Sequence, residues 1–203
     1  MPIEKDGRNW IQSRSGLKVD LLDPNPDAIN IEDIAHALSQ LCRYTGHTQR
    51  PYSVAEHSVR VSYRAEDLAR DGEDGSPGCL QRIARWGLLH DATEAYLGDV
   101  SRPLKYLPDM AGYKRIEKIW MKVIAAKFGL VGEQPPEVDQ ADDEMLGTEA
   151  HALMQPVHPE WGMTCPTGKL PDPLPEVGWI GWHHSIAKDR FLMRFKDLFP
   201  EFK

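Results

Sequence analysis

The sequence predicts an all-α fold that carries a small hairpin near its N-terminus. From about residue 31 onward, apolar side chains recur at helical spacing, and capping residues stand where these segments begin. A chain of 203 residues can bury a substantial core. We therefore expect one compact helical domain over residues 1–203, with its core at about 31–154.

The N-terminal elements are predicted from turn and cap signals. A Ser-Gly turn between two short mixed runs predicts a hairpin within residues 10–22. Residues 23–27 are a proline-broken connection. Asn30 is a good N-cap for a first helix, which we place at about residues 31–44.

Two further helices are predicted from their start signals. An S-x-x-E capping box at residues 53–56 opens a helix that runs to about residue 70. The turn-rich linker DGEDGSPG ends in Ser76-Pro77, where serine suits the N-cap and proline the first helical position. We expect this helix to reach about residue 96.

The C-terminal half is predicted to hold a loop, two helices, an irregular proline-rich excursion and a last amphipathic helix. The first of these helices ends before Gly129, which favours a helix stop. The loop is expected at about residues 98–108, and the first helix follows it and ends at about residue 128. The second helix is expected at about 137–154 and the excursion at 155–178. The last helix is expected at about 184–199. Candidate core residues of the last helix are Ile186, Phe191, Phe195, Leu198 and Phe199.

Charge and cysteine content limit the possible partners. The net charge of −7 lacks the basic footprint of a nucleic-acid-binding protein. The three cysteines, Cys42, Cys79 and Cys165, show no metal spacing and suit reduced thiols in the cytosol. The chain starts without an apolar signal core and has no apolar run long enough for a bilayer. We therefore expect a cytoplasmic protein without nucleic-acid or membrane partners.

Four residues form the strongest candidate site. His57, the doublet His90-Asp91 and Asp142 lie 33 and then 51 residues apart, all on segments predicted to be helical. Imidazole nitrogens combined with carboxylate oxygens suit a borderline transition metal better than calcium or magnesium. We therefore predict one divalent transition-metal ion (Mn, Co, Fe or Zn), which can activate a water to attack phosphorus.

Helical phase supports this set of residues. His57 shares its face with valines at one-turn spacing, and Asp142 has apolar neighbours one turn away on both sides, whereas Asp143 lies in a polar stripe. An unpaired buried carboxylate is costly, so a cation is its natural partner. A lone histidine on an apolar helix face is usually a core residue without a ligand. Here three segments agree in order, helix face and residue type, and this agreement favours a metal site. Glu149 faces the same way as Asp142, and we expect it to orient a ligand or pair with an arginine of the first helix.

The residues after the doublet suggest acid–base and phosphate-binding groups. Glu94 lies one helical turn after His90 and could relay protons between the attacking water and the leaving oxygen; a solvated carboxylate at a helix end is the alternative. Asp99 could bind a sugar hydroxyl or a metal-bound water. Arg102 and Lys105 are placed to hold phosphate oxygens, with ordinary surface charges as the alternative.

These residues together resemble the HD-domain phosphohydrolase superfamily, which is named for a metal site of the form H…HD…D. A GYP signature, typical of its cyclic-dinucleotide phosphodiesterases, is missing, and Ala95 stands where the alarmone hydrolases have an aspartate. The chain is similar to the 5′-deoxynucleotidase branch and equally to small phage-type dATP triphosphohydrolases. The segments that carry this resemblance are Tyr52-Ser-Val-Ala-Glu-His57-Ser, His90-Asp-Ala-Thr-Glu94-Ala-Tyr-Leu-Gly-Asp99 and Gln140-Ala-Asp142.

The resemblance implies a compact HD-domain helical bundle, one divalent ion and a homo-oligomer. It implies that Glu94 is the catalytic acid/base and that Asp99 and Lys105 contact the substrate. Arg43-Tyr44 is similar to an arginine–aromatic pair that meets the sugar and base in the nucleotidase branch; a helix C-terminal cation and a core aromatic are the alternative. The metal ligands that it implies are His57, His90, Asp91 and Asp142.

We therefore predict a metal-dependent phosphohydrolase of small nucleotides, with 5′-deoxynucleotides as its substrates and Glu94 as acid/base. The alternative within this class is a dATP-type deoxynucleoside triphosphate triphosphohydrolase. Two other classes stay open. One is a metal- and nucleotide-binding sensor that uses residues 155–178 as a docking surface, and the other is a helical interaction protein without metal.

Overall fold

A computed structural model describes residues 9–72, 75–154, 156–161 and 180–202 of the chain. These residues form a helical bundle preceded by a two-stranded hairpin, which confirms the predicted fold class. Within the described ranges, no helix is both long and apolar enough to cross a bilayer. The elements are β1 (Trp10–Gln12), β2 (Lys18–Asp20), α1 (Ile31–Gln40), α2 (Val54–Arg70), α3 (Pro77–Leu89), α4 (Glu94–Leu97), α5 (Arg102–Lys105), α6 (Ala111–Phe128), α7 (Pro136–Leu153) and α8 (His184–Leu198).

The hairpin and the start of α1 follow the sequence signals. β1 and β2 are antiparallel, with Ile11 opposite Val19, and Gly16 adopts a φ of 84° in the turn between them. The side chain of Asn30 accepts a hydrogen bond from the backbone N–H of Asp33, as expected of an N-cap. The buried side chain of Val19 joins the main core of the bundle.

The central helix is α2, which packs against α1, α3, α7 and α8. Its N-cap is Ser53, as predicted, because the Ser53 hydroxyl accepts from the Glu56 N–H. The Glu56 carboxylate does not close the predicted capping box. It is fully buried, accepts hydrogen bonds from the backbone N–H groups of Gly181 and Trp182, and pairs with Arg60. This carboxylate therefore fixes the segment that leads into α8.

The helices α2 and α3 approach each other closely at Gly87. A Cβ atom built on Gly87 would lie 2.9 Å from the Cα of Ser62 and 3.3 Å from the carbonyl oxygen of Val61. The Ser62 hydroxyl donates to the carbonyl of Ala84 across the same contact, at 2.8 Å. The absence of a side chain at Gly87 therefore sets the distance between the two helices.

The first helix is shorter than the predicted span of 31–44, because the chain leaves it to pair with the start of α2. Cys42 and Ser53 form an antiparallel β-bridge. The backbone N–H of Arg43 donates to the carbonyl of Tyr52 at 2.9 Å, and the N–H of Val54 donates to the carbonyl of Leu41 at 3.0 Å. These bonds replace the last turn of the expected helix.

The predicted helix from residue 77 to about 96 is broken in two. α3 ends at Leu89, and the bonds that follow link each N–H to the carbonyl three residues earlier, from Ala92 to Leu89 and from Glu94 to Asp91. Such a turn is tighter than an α-helical turn, so Glu94 does not project along the line expected for one continuous helix. A short second helix, α4, then starts at Glu94.

The later elements that the structure describes match the predictions, with two differences. Gly129 ends α6 with a φ of 66°, as expected, but the predicted loop 98–108 contains the short helix α5. On α8, Ile186 is 48% exposed and Ala187 is buried in its place, so the assignment of Ile186 to the core was wrong. Of the predicted excursion 155–178, only residues 156–161 are described, and they include a short 3₁₀ turn.

The contact at Gly87 yields a stability prediction. Gly87→Ala should lower the free energy of unfolding by about 1–3 kcal/mol, because the new methyl group meets backbone atoms of α2 that have no room to shift. Gly78→Ala on the same helix is the matched control, since its added methyl group meets no described atom within 4 Å. It should change stability by less than about 0.5 kcal/mol. Urea unfolding measures both, and equal stabilities would contradict the proposed close contact.

Candidate active site

Three of the four predicted metal ligands, His57, His90 and Asp91, lie close enough together to share one ion, and Asp142 on α7 lies beside His57. The imidazole rings of His57 and His90 lie 5.3 Å apart between centroids. The Nε2 atom of His57 is 3.1 Å from Asp142 Oδ1 and 3.6 Å from Asp91 Oδ2, and the Nε2 atom of His90 is 3.3 Å from the same Asp91 oxygen. The structure thus brings close together residues that sequence order and helical phase had linked.

The hydrogen bonds of the two histidines orient them for metal binding. Nδ1 of His57 lies 2.6 Å from Glu149 Oε1, and Nδ1 of His90 lies 2.8 Å from the carbonyl oxygen of Gly87. Both partners are acceptors, so each Nδ1 carries a proton, and loss of the other ring proton leaves an Nε2 lone pair that faces the cluster. Among the described residues, neither Nε2 atom has a hydrogen-bond partner. This donor set fits a transition-metal ion.

The electrostatics of the cluster also favour a cation. Burial opposes the charged form of Asp91, but His90 outweighs burial and holds the pKa of Asp91 well below its usual range. Burial alone would lower the pKa of His90, and the carboxylate of Asp91 instead raises it to about 9. Asp142 likewise keeps a low pKa beside His57. The carboxylates thus make the cluster attract positive charge, which a divalent ion supplies.

Glu94 is a buried carboxyl group beside this cluster. Its Oε1 accepts from Lys105 Nζ at 3.4 Å, and its Oε2 has no hydrogen-bond partner among the described residues. Burial raises the pKa of Glu94 well above its ordinary value, and the carboxylates of Asp91 and Asp99 add to this rise, while Lys105 opposes it. Glu94 is therefore suited to hold a proton.

A cavity of about 580 Å³ opens onto the cluster. Its volume is in the range of small-molecule sites. The charged lining residues include Asp91, Glu94, Asp99, Arg102, Lys105 and Asp142. The apolar and aromatic lining residues include Tyr44, Leu146, Met154 and Trp161.

All three predicted contacts from the segment after α4 line the cavity. Arg102 is 47% exposed and donates to both Asp142 Oδ2 at 2.9 Å and Asp143 Oδ1 at 2.8 Å. Lys105 bridges Glu94 and Glu117, the latter at 2.9 Å. Asp99 is partly buried in the same wall, where burial raises its pKa. Both cations lie beside the carboxylates of the cluster, within the same cavity.

Arg43 and Tyr44 enter the cavity from a turn instead of from the predicted end of a helix. Tyr44 and Thr45 have φ values of 57° and 54°, a left-handed conformation that is uncommon for residues other than glycine. The guanidinium of Arg43 lies 3.5 Å from Asp91 Oδ2 and 4.0 Å from Asp142 Oδ1. The turn thus places a cation at the cluster and an aromatic ring in the cavity wall.

Trp161 is a cavity residue that the sequence analysis did not assign to the site. Its ring stacks on that of Tyr44, with 6.2 Å between centroids and 28° between planes, and it is 44% exposed. The sequence analysis associated this part of the chain with a docking surface. Residues 155–161 carry no helical period that would have indicated which way the indole faces.

A helical bundle that brings a histidine, a His-Asp doublet and a distant aspartate to one point defines the HD-domain class. The comparison with protein families agrees. The family described as 5′-deoxynucleotidase YfbR-like matches residues 34–152, which is more than half of the chain. The protein therefore belongs to the YfbR-like family of HD-domain proteins.

Several curated proteins are similar to this chain. An uncharacterised protein of Rhodobacter capsulatus is 39% identical over 66% of this chain and 65% of its own length. The uncharacterised protein YfdR of Escherichia coli K12 is 42% identical over 64% of each chain. A 5′-deoxynucleotidase of Pectobacterium atrosepticum is 33% identical over 52% of this chain and 55% of its own length. The matches thus span just under two thirds of the first two relatives and about half of the third.

The ligand geometry predicts that Asp142 and its neighbour Asp143 differ in their importance for metal binding. Asp142→Asn should weaken binding of Mn²⁺, Co²⁺ or Zn²⁺ by at least about tenfold, because it removes a ligand oxygen next to His57. Asp143→Asn is the matched control, since Asp143 pairs with the same Arg102 but is 68% exposed. Chelator competition measures both affinities. Equal losses in the two variants would place the ion elsewhere.

Proposed function

We propose that this protein is a metal-dependent phosphohydrolase of small nucleotides that acts on 5′-deoxynucleotides. The observation that carries this proposal is the pair of unpartnered Nε2 atoms, on His57 and His90, that face Asp91 and Asp142 next to the protonatable Glu94. Membership of a 5′-deoxynucleotidase-like family supports the same reaction.

The metal would be held by His57, His90, Asp91 and Asp142. A divalent ion there supplies Lewis-acid polarisation of a phosphoryl oxygen and lowers the pKa of a water molecule. The chain orients this chemistry through Nδ1 of each histidine, because a fixed tautomer and ring position keep both Nε2 atoms directed at one point.

Glu94 is the group that we assign to proton transfer. Breaking the bond between phosphorus and the 5′-oxygen leaves an alkoxide that must gain a proton. Glu94 keeps a raised pKa, and its free Oε2 atom faces no competing donor among the described residues. Lys105 contacts only the other oxygen, Oε1, and so leaves Oε2 available to receive a proton from water and pass it to the leaving oxygen.

The cations of the cavity wall would bind the phosphate group. Lys105 and Arg102 lie on one short helix and face the cluster, so an incoming phosphate can replace their carboxylate partners. Arg43 provides a further guanidinium between the cluster and the aromatic wall. Asp99 is placed to accept a hydrogen bond from a sugar hydroxyl.

The aromatic part of the cavity would receive the nucleobase. Tyr44 and Trp161 present stacked rings there, and stacking on aromatic side chains accepts every base because all bases have a flat π face. The charged and aromatic linings of one cavity thus match the two chemically different ends of a nucleotide.

A substrate panel tests the proposed function. Metal-reconstituted protein is incubated with deoxy- and ribonucleoside mono- and triphosphates, and chromatography separates phosphate from tripolyphosphate. Nucleoside and phosphate from several deoxymonophosphates are expected. Tripolyphosphate from dATP would establish the triphosphohydrolase alternative, and metal and nucleotide binding without turnover would favour the sensor.

The role of Glu94 predicts a loss of turnover without a loss of metal. Glu94→Gln should reduce kcat by about 10²–10⁴-fold, because the amide cannot exchange a proton with the leaving oxygen. Glu117→Gln is the matched control, since Glu117 contacts the same Lys105 but has no place in the cavity lining, and it should keep kcat within a few fold. Steady-state kinetics on protein of measured metal content tests this prediction. Full activity of the Glu94→Gln variant would contradict a catalytic role of Glu94.

Base stacking predicts an effect of Trp161 on substrate affinity. Trp161→Ala should raise KM about tenfold for deoxynucleotides and leave kcat nearly unchanged, because the indole contacts the base and not the reacting phosphorus. Tyr106→Ala is the control, since Tyr106 is 71% exposed and outside the cavity lining. An unchanged KM in the Trp161 variant would exclude the indole from base binding.

Three expectations from the sequence remain predictions. They are the homo-oligomeric state, the cytoplasmic location and the organisation of residues 1–203 as one domain. The family match over residues 34–152 falls within the predicted core of about 31–154. The metal-free interaction protein is the alternative least compatible with the histidine geometry, because it gives the two oriented Nε2 atoms no function.

A further inference from the structure

Glu149 lies at the junction between the metal cluster and the cavity wall. It is on α7, two helical turns after Asp142, and its side chain is fully buried. The carboxylate accepts hydrogen bonds from side chains of α2 and of the segment before it. The donors are His57, Tyr52, Tyr44 and Arg43.

One oxygen of this carboxylate holds a candidate metal ligand. Oε1 lies 2.6 Å from Nδ1 of His57 and 2.8 Å from the hydroxyl of Tyr52. The bond to Nδ1 fixes the ring orientation of His57 and increases the basicity of its Nε2 atom. Tyr52 is buried and lies outside the cavity lining, so its hydroxyl serves to hold Oε1 in place.

The other oxygen holds the turn that lines the cavity. Oε2 lies 2.6 Å from the hydroxyl of Tyr44 and 3.2 Å from Nε of Arg43. Tyr44 has a left-handed backbone conformation, which costs free energy and persists only where surrounding contacts stabilise it. The bonds to Oε2 are such contacts, since they join the side chains of the turn to the interior of the bundle.

We propose that Glu149 is a positioning residue that couples metal affinity to nucleotide affinity. Its two oxygens belong to one rigid group, so they hold His57 and the Arg43-Tyr44 pair at a fixed separation. This inference rests on the proposed function for the nature of the ligand, whereas its metal-binding half stands on the geometry of His57 alone. The sequence predicts that Glu149 either orients a metal ligand or pairs with an arginine. Its carboxylate contacts both the candidate ligand His57 and the arginine Arg43.

The first test measures metal affinity without substrate. Glu149→Gln should weaken Mn²⁺ or Co²⁺ binding by about 10–100-fold, as measured by chelator competition, because a neutral amide is a weaker acceptor for Nδ1. Glu144→Gln is the control, since it makes the same change on the same helix at a carboxylate that pairs with Arg64 outside the cavity lining. Its metal affinity should stay within about threefold of wild type. A well-folded Glu149→Gln protein with wild-type metal affinity would overturn the proposal.

The second test separates the two oxygens of the carboxylate. Tyr44→Phe removes a donor to Oε2 only, so KM for the deoxynucleotide should rise while metal affinity in the absence of substrate stays near wild type. Glu149→Gln should change both quantities. A role in folding alone predicts a lower melting temperature with both quantities unchanged, and this result would contradict the coupling.

The Glu149→Asp variant and the substrate panel distinguish the positioning role from a folding defect and from a wrong substrate assignment. If Glu149→Gln does not fold, Glu149→Asp keeps the charge but shortens the side chain, and it should restore folding with metal affinity still below wild type. Wild-type affinity in the folded Asp variant would overturn the positioning role. If no member of the substrate panel is turned over while Glu149→Gln still loses metal affinity, the substrate assignment fails and the positioning of His57 stands.

Discussion

The site depends on the close approach of two helices at a residue without a side chain. Gly87 lets the backbone of α3 lie against that of α2 at Ser62, where an added Cβ would be only 2.9 Å from a Cα atom. His57 lies on α2 and His90 directly follows α3, and their rings lie 5.3 Å apart. A metal ion held here would have to reach both Nε2 atoms, so the spacing of the helices also sets the spacing of these candidate ligands. The packing of the two helices and the geometry of the candidate metal site thus depend on one glycine.

The interior of the bundle carries more charge than folding alone would favour. Carboxylates of Asp91, Glu94, Asp142 and Glu149 surround the cluster, and burying such groups is costly unless each is paired. Arg43 contacts three of the four, and protons or a metal ion on the histidines supply further positive charge. The arrangement raises the pKa of Glu94 and lowers those of the other three carboxyl groups within a small volume. Such divergent pKa values are typical of sites that perform acid–base chemistry.

The sequence was sufficient for the fold class and for the proximity of His57, His90, Asp91 and Asp142, because helical periodicity indicates both, while their role as metal ligands stays a prediction. Helical phase separated Asp142 from Asp143, and the structure exposes the second of these. Helical phase gave wrong element boundaries where tertiary contacts outweighed the local preference for helix. The bridge between Cys42 and Ser53 ended α1 early, and tight turns after Leu89 broke a predicted helix. Trp161 could not be placed, because a proline-rich segment has no period from which to infer a facing direction.

The turn at Tyr44 and Thr45 has a consequence for the order in which this protein loses structure. Two successive left-handed residues that are not glycine cost about 1–2 kcal/mol each, and the turn has no helix or strand of its own to offset that cost. Two of its side chains bond to one buried carboxylate, and the backbone N–H of Arg43 bonds to Tyr52. Local opening of this turn therefore requires less free energy than unfolding of the bundle. On warming, the arrangement of this cavity wall should be lost while the helices and the cluster of candidate metal ligands are still intact.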